Sequence, residues 1–340
     1  MGSVNWSELK ALILRHSSFV ICSHVRPDAD ALGSEIGLQY LIRSLGRTAT
    51  IVNASAVPST IAFMTAGQDV LQLNVDVTKQ QLTLPDAFLT VDTSSWQQLG
   101  AMADLIRSSG VEHIVIDHHL ASDEMGPNVF RDTTAAAAAE MVCRLFEEFE
   151  TEPDATTADF LYAGIATDTG WFRFPSTRSE TMRLAGRLID FGARPHEMYR
   201  LIHEQMSLER VQLSGKVLAS IRTAADGRLN WLQVSAADME ATGTSPADTE
   251  GLVNRCLTVA GAELAFIAVE LPTTQIKFSL RCREPHNVAE LAGRFSGGGH
   301  QLASGCTLSG PLETAVQKVL SAAHEIMGTA ASANDSQAES

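Results

Sequence analysis

Phe19-Val20-Ile21-Cys22-Ser23-His24-Val25-Arg26-Pro27-Asp28-Ala29-Asp30-Ala31-Leu32-Gly33-Ser34 joins a short apolar run to a loop that carries one imidazole and two carboxylates. An unbroken apolar run of this length reads as a parallel strand buried on both faces. Beyond the loop, Leu38, Leu41, Ile42 and Leu45 recur at helical spacing and predict a helix over 31–45, with Gly46 as its stop. Strands are expected at 48–52, 88–91 and 114–116, the last two running straight into Asp92 and Asp117. Helices are expected over 134–149, which is alanine-rich, over 155–166, ending just before Asp168, and over 179–191. Strands that alternate with helices predict an α/β domain with a mostly parallel sheet. In such sheets ligands bind beyond the carboxyl ends of the strands. The polar clusters fall there.

Arg194-Pro195 interrupts this alternation, and the mixed segment that follows reads as a helical linker over 193–221. A smaller α/β unit comes next. Its strands are expected at 230–234, 263–271 and 275–281, with helices near 250–260, 288–295 and 312–327. The expected organisation is a first domain at 1–192, the linker, a second domain at 222–328 and a small, polar, disordered tail at 329–340. A length of 340 residues agrees with two domains.

Composition narrows the function. Hydrophobic residues make up 45% and charged residues 19%, an ordinary globular balance. Lys plus Arg is 25 and Asp plus Glu is 40, a formal net charge of −15. Such a surface repels phosphate backbones, which argues against a protein that grips long duplex nucleic acid by charge. A short nucleotide in a local positive pocket stays open. No apolar run is long enough to cross a membrane, and the start, MGSVNWSELK, lacks the features of a signal peptide. Cys22, Cys143, Cys256, Cys282 and Cys306 are widely spaced and form no CxxC, which points to reduced, buried thiols in a cytoplasmic protein.

The chemistry-bearing residues are His24, Asp28 and Asp30 in the first loop, Asp92 in TVDTSS, Asp117-His118-His119, and Asp168 in ATDTGWFRF. Taken singly, Asp92 or Asp168 reads as a turn or cap residue, and the His-His pair as solvent-facing. Together they bring acids and imidazoles from separate elements to one sheet edge. Carboxylates and imidazoles without thiolate suit manganese or magnesium better than structural zinc. Roughly three to four protein ligands per ion allow two ions about 3.5–4 Å apart, an arrangement suited to phosphoester hydrolysis. Downstream, Gly297-Gly298-Gly299 permits close approach of backbone N–H groups to an anion, and His300 and Arg281 add polar and cationic contacts. Arg173, Arg283 and Ser304 are weaker candidates, and Trp171 and Phe172 read as core.

HVRPDADALGS, TVDTSS, IDHH and ATDTGWFRF resemble, in order, the motifs of the DHH phosphoesterase superfamily, to which the RecJ-like exonucleases belong. KFSLRCRE and RFSGGGHQLASG resemble its DHH-associated C-terminal domain, and the resemblance runs over about 5–327. Ala29 departs from the Gly that many relatives place between the two aspartates. The resemblance implies that His24, Asp28 and Asp92 hold one metal ion. It implies that Asp30, Asp92, His118 and Asp168 hold the other, with Asp92 as the bridge. His119 would act on the substrate phosphate, and Asp117 would orient a neighbour. Arg281, Gly297, Gly298, Gly299 and His300 would hold the terminal nucleotide. A two-domain chain of this length is similar to the nano-RNase group. That similarity implies hydrolysis of short oligoribonucleotides, removal of the 3′-phosphate of 3′-phosphoadenosine-5′-phosphate (pAp), or both. It is also compatible with a homodimer. The alternatives are a soluble phosphodiesterase for cyclic or linear dinucleotides and a catalytically inactive nucleotide-binding module. The latter usually loses ligands, and here none of the expected ligands is missing.

Overall fold

The computed structural model describes residues 4–120 and 122–328. The expected tail at 329–340 lies outside the described residues. The chain divides into two compact units, the first ending at Gln205 and the second beginning at Met206.

The first unit carries a six-stranded sheet in the order β3-β2-β1-β4-β5-β6. Its strands are β1 (Ser18–Cys22), β2 (Thr48–Asn53), β3 (Val70–Gln72), β4 (Ala87–Val91), β5 (Glu112–Asp117) and β6 (Asn128–Arg131). All neighbours are parallel. Side chains alternate across the sheet, so Phe19 and Ile21 enter one core while Val20 and Cys22 enter the other. Both faces are covered, as a parallel sheet requires. The helices are α1 (Trp6–Arg15), α2 (Ala29–Ser44), α3 (Ala101–Ser109), α4 (Ala138–Glu148), α5 (Ala155–Asp168), α6 (Ser179–Asp190) and α7 (Pro195–His203). Asp28 caps α2, its Oδ1 accepting from the amides of Asp30 and Ala31 at 3.0 Å each.

α2 and α5 pack closely because their contact is built from glycine. A Cβ at Gly33 would fall on the Phe160 carbonyl, and one at Gly164 would lie 2.9 Å from Asp30 Oδ1. The contact holds the first turn of α2 against α5 and the start of α4, and so fixes where Asp30 stands.

The structure departs from the expected elements in instructive places. α4 starts at Ala138, not near residue 134. Asp132 Oδ1 takes hydrogen bonds from the Thr134 amide (2.9 Å) and hydroxyl (2.6 Å), and Ala137 is extended, so the alanine run is split between loop and helix. α5 runs on to include Asp168. β3, β6, α1 and α3 have no counterpart among the elements expected from the sequence. The segment 193–221 is helical but divided. Met198 on α7 is buried in the first unit, whereas Leu213 and Val217 on α8 (Leu208–Ala219) are buried in the second.

The second unit also has a six-stranded sheet, in the order β11-β12-β10-β9-β8-β7. Its strands are β7 (Arg222–Ala224), β8 (Leu229–Val234), β9 (Leu264–Glu270), β10 (Gln275–Cys282), β11 (Gly298–His300) and β12 (Ala303–Ser309). Only the β8–β9 pair is parallel. Ile276, Phe278 and Leu280 point to a core that includes α11 (Val288–Gly293) and α12 (Leu312–Ile326). On the opposite face, Ala265, Ile267 and Val269 of β9 pack with α8, α9 (Ala236–Thr242) and α10 (Leu252–Cys256). β12, with the sequence ASGCTLS, carries too few large apolar residues to signal a strand.

Candidate metal centre

The carboxyl ends of β1, β4 and β5 and the last turn of α5 deliver the acids and imidazoles to one place. His24 Nε2 lies 3.5 Å from Asp92 Oδ2 and 4.0 Å from Asp28 Oδ1. His118 Nε2 lies 3.3 Å from Asp92 Oδ1, 3.5 Å from Asp168 Oδ2 and 3.9 Å from Asp30 Oδ2. Two groups able to hold an ion result, His24-Asp28-Asp92 and Asp30-His118-Asp168, with Asp92-His118-His119 as a third overlapping set. Asp92 turns one oxygen to each histidine.

The donor atoms fit a divalent cation. Asp92 Oδ1 and His118 Nε2 are both buried and complete no hydrogen bond among the described residues. Buried polar atoms are normally satisfied, and a pair converging at 3.3 Å marks a place where a ligand belongs. The set contains oxygen and nitrogen and no sulfur, which suits manganese or magnesium. The imidazoles are oriented from behind. His24 Nδ1 lies 3.1 Å from the Val25 carbonyl and His118 Nδ1 lies 3.3 Å from the Ala135 carbonyl.

The electrostatics reflect crowding of like charge. Burial opposes a charge on His24, but Asp92 beside it outweighs that and lifts its pKa to about 9. His118 is likewise opposed by burial and is carried to about 10 by Asp92, Asp30 and Asp168. Burial would raise Asp92, but the two histidines hold it down. Burial pushes Asp168 up to about 6 against the pull of His118. Asp30 is raised by burial and by Asp92 and Asp168. Its two oxygens accept from the amides of Ala138 (2.7 Å) and Ala139 (2.9 Å) at the start of α4, so its carboxylate is anchored.

His119 stands apart from its neighbour. Its side chain is 51% exposed, and its Nδ1 lies 2.8 Å from Asp117 Oδ1. Asp117 is fully buried and also accepts from the Ser94 hydroxyl. Its hydrogen bond raises the His119 pKa, with burial opposing. A cavity of about 610 Å³ opens here, lined by His118, His119, Asp168, Ser94, Gln98 and Ser176 among others.

Glu35 was not singled out in the sequence. It is fully buried on α2, and Asn53 Nδ2 donates to its Oε2 at 2.9 Å. Asn53 Oδ1 in turn accepts from the amide of Ser23, the residue before His24. Burial lifts the Glu35 pKa to about 7 against its Asn53 and Ser23 contacts. A glutamate in the second turn of a helix carries no local signal of this role. Arg178, Arg144 and Thr181 similarly converge on buried Glu140, which also accepts from the Ala136 amide and so pins the loop before α4.

In the second unit, Gly298 to His300 form the edge strand β11, not a loop. The pairs His300–Ala303 and Arg281–Ala303 place Arg281 and His300 in one row across β12. Ser304 Oγ donates to the His300 carbonyl, which holds the turn. Arg283 donates to the carbonyls of Ala262 and Leu257, and Arg173 to that of Gly170. Trp171 and Phe172 pack against the first unit's core.

A DHH-type sheet domain followed by a separate α/β unit defines the class: residues 18–165 match the DHH family, N-terminal domain, and residues 232–329 match the DHHA1 domain. The chain belongs to the DHH family, in the group that carries a DHHA1 domain. It is 31% identical over 309 residues to the bifunctional oligoribonuclease and PAP phosphatase NrnA of Thermus thermophilus, covering 90% of this chain and 89% of that protein. It is 28% identical over 305 residues to the Bacillus subtilis protein of the same name, covering 89% of this chain and 93% of that one. An exopolyphosphatase-related protein from Bacteroides fragilis is a structural neighbour with a TM-score of 0.83 and 26% identity, covering 94% of this chain and 95% of the other.

Proposed function

We propose that this chain is a divalent-metal-dependent phosphoesterase that hydrolyses short oligoribonucleotides to mononucleotides and removes the 3′-phosphate of pAp to give AMP. The observation that carries the reading is Asp92, with Oδ2 3.5 Å from His24 and Oδ1 3.3 Å from His118, so that one carboxylate serves both donor groups. His24, Asp28 and Asp92 would hold one ion, and Asp30, Asp92, His118 and Asp168 the other, with manganese or magnesium suited to these donors. When bound, such a pair activates water at neutral pH and neutralises phosphoryl charge.

The chain's own groups do the rest. Asp117 fixes the Nδ1 side of His119, which leaves Nε2 to donate a hydrogen bond or proton to the phosphate. The α4 amides hold Asp30 in one orientation. Arg281, His300 and the Gly297 to Gly299 backbone anchor the nucleotide in the second unit. The names of the relatives aligned over 89–90% of the chain support this substrate class. Five buried, unpaired cysteines suit a reducing cytoplasmic setting, and no helix among the described residues is long and apolar enough to cross a membrane.

The test is turnover of pAp, a dinucleotide, a pentanucleotide RNA, a cyclic dinucleotide and pyrophosphate, each with manganese or magnesium. The expected result is metal-dependent AMP from pAp and mononucleotides from RNA. Turnover confined to the cyclic dinucleotide or to pyrophosphate, or no turnover at all, overturns the reading.

A further inference from the structure

α5 ends in a conformation that its own residues do not favour. Asp168 is its last residue, and Gly170 just beyond has a φ of 56°, the ordinary left-handed stop of a helix. The chain then stays left-handed through Trp171 (58°) and Phe172 (63°). Residues with a Cβ visit this region rarely, and then singly, because the Cβ crowds the following carbonyl. Two bulky aromatics in succession need a tertiary cause, and strain of this kind gathers at functional sites.

The contacts that hold the turn come from α5 and α7. The Trp171 amide donates to the Ala166 carbonyl at 2.5 Å, and the Phe172 amide to Thr169 Oγ1 at 3.1 Å. The Thr169 carbonyl accepts from the amides of Arg173 and Phe174 at 3.0 Å each. Phe172 packs on Tyr162 of α5, with ring centroids 5.8 Å apart. From α7, Tyr199 meets the Trp171 ring edge-on at 4.8 Å between centroids, and His203 Nε2 accepts from Trp171 Nε1 at 2.5 Å. Partial burial, with Arg173 nearby, holds the His203 pKa below its ordinary value, so the ring is neutral near pH 7 and Nε2 is able to accept.

Trp171 is thus tied at two points. Its ring is fixed to α7, and its amide to the last turn of α5, which carries Asp168. Asp30 is anchored by the α4 amides, whereas the Asp168 carboxylate accepts no hydrogen bond among the described residues. The place of Asp168 therefore depends on the backbone that bears it. We infer that Trp171 and His203 are positioning residues. Their hydrogen bond keeps the left-handed turn wound and so sets the Asp168 carboxylate for the ion it shares with Asp30 and His118. The inference rests on the reading of Asp168 as a metal ligand, and it adds two residues that belong to none of the donor groups.

The test pairs calorimetric titration with manganese and amide hydrogen exchange in EDTA. His203→Leu removes the acceptor, Trp171→Phe removes the donor but keeps a ring, and His203→Gln supplies a side-chain oxygen in place of Nε2. His203→Leu and Trp171→Phe are each expected to weaken one of the two ions about three- to tenfold, the size of one lost hydrogen bond, and to leave the other unchanged. His203→Gln should restore the affinity. With Asp168→Ala already in place, His203→Leu should cost nothing further. In EDTA the amides of 171–174 should exchange faster in His203→Leu and at the natural rate in His203→Gln. Equal weakening of both ions, a lower Tm with manganese affinity unchanged, or a further loss in the Asp168→Ala background overturns the inference. Asp168→Ala that keeps both ions at full affinity would instead overturn the reading of Asp168 as a ligand. Hydrogen exchange would then still decide whether the bond holds the turn, and unchanged exchange in His203→Leu would show that it does not.

Discussion

Asp92 has a backbone φ of 61°, a left-handed conformation that costs a non-glycine residue about 1–3 kcal/mol. The strain goes with position, because the turn at the end of β4 is what presents one oxygen to His24 and the other to His118. Asp92→Asn keeps the shape and removes the charge that both sets of donors share. Calorimetric titration with manganese should show loss of both bound ions, with Asp92→Ala no better, whereas retention of one full-affinity ion would refute the bridging role. His119 gives the opposite expectation. Its ring is held by Asp117 and stands half-exposed, so His119→Ala should cut turnover by about 10²–10⁴-fold and leave metal content intact. Metal loss as complete as in His118→Ala would assign it to the ions instead.

At the scale of elements, the contact between α2 and α5 decides whether the donors meet. Gly33 sits against the Phe160 carbonyl and Gly164 against Asp30. Gly33→Ala must push the helices apart, which should cost about 1–3 kcal/mol by overpacking and weaken manganese binding, because Asp30 and Asp168 are carried on the two helices. Gly186, on the exposed side of α6, has nothing within 4 Å of a Cβ, and Gly186→Ala should stabilise by about 0.5–1 kcal/mol through helix propensity. Thermal unfolding of the two variants checks this, and destabilisation of similar size in both would show that the close approach is not what matters.

For the whole molecule, acid stability carries a signature of one half-buried histidine. Burial holds His113 down at about 4, with its Nε2 2.8 Å from the Thr90 hydroxyl. In the unfolded chain it titrates at its ordinary value near 6.5. Between those values the unfolded state takes up a proton that the folded state refuses. Stability therefore falls as pH drops from about 6.5 to 4, by about 3 kcal/mol when complete. Urea unfolding at pH 7 and pH 4.5 should show the natural protein losing about 2 kcal/mol more than His113→Gln. Equal losses would place the acid sensitivity elsewhere.

Local pattern determined a good deal. The apolar runs of β1, β4 and β5 and the helical spacing of α2 and α6 are periodicities that a chain displays by itself. Polar, ionisable residues at or just past strand ends put His24, Asp92 and Asp117 at the carboxyl edge, where the structure has them. Tertiary contacts decided the rest. The start of α4 depends on amides that donate to Asp30, 108 residues earlier in the chain. β12 is a strand because β10 and β11 flank it, not because its own residues favour one. Glu35 is buried because Asn53, 18 residues on, supplies the hydrogen bond that a buried carboxylate requires. Periodicity reports which face of an element is apolar. Which polar atom faces which is fixed only when distant segments pack, since the energy of a buried polar group belongs to the pair and not to either residue.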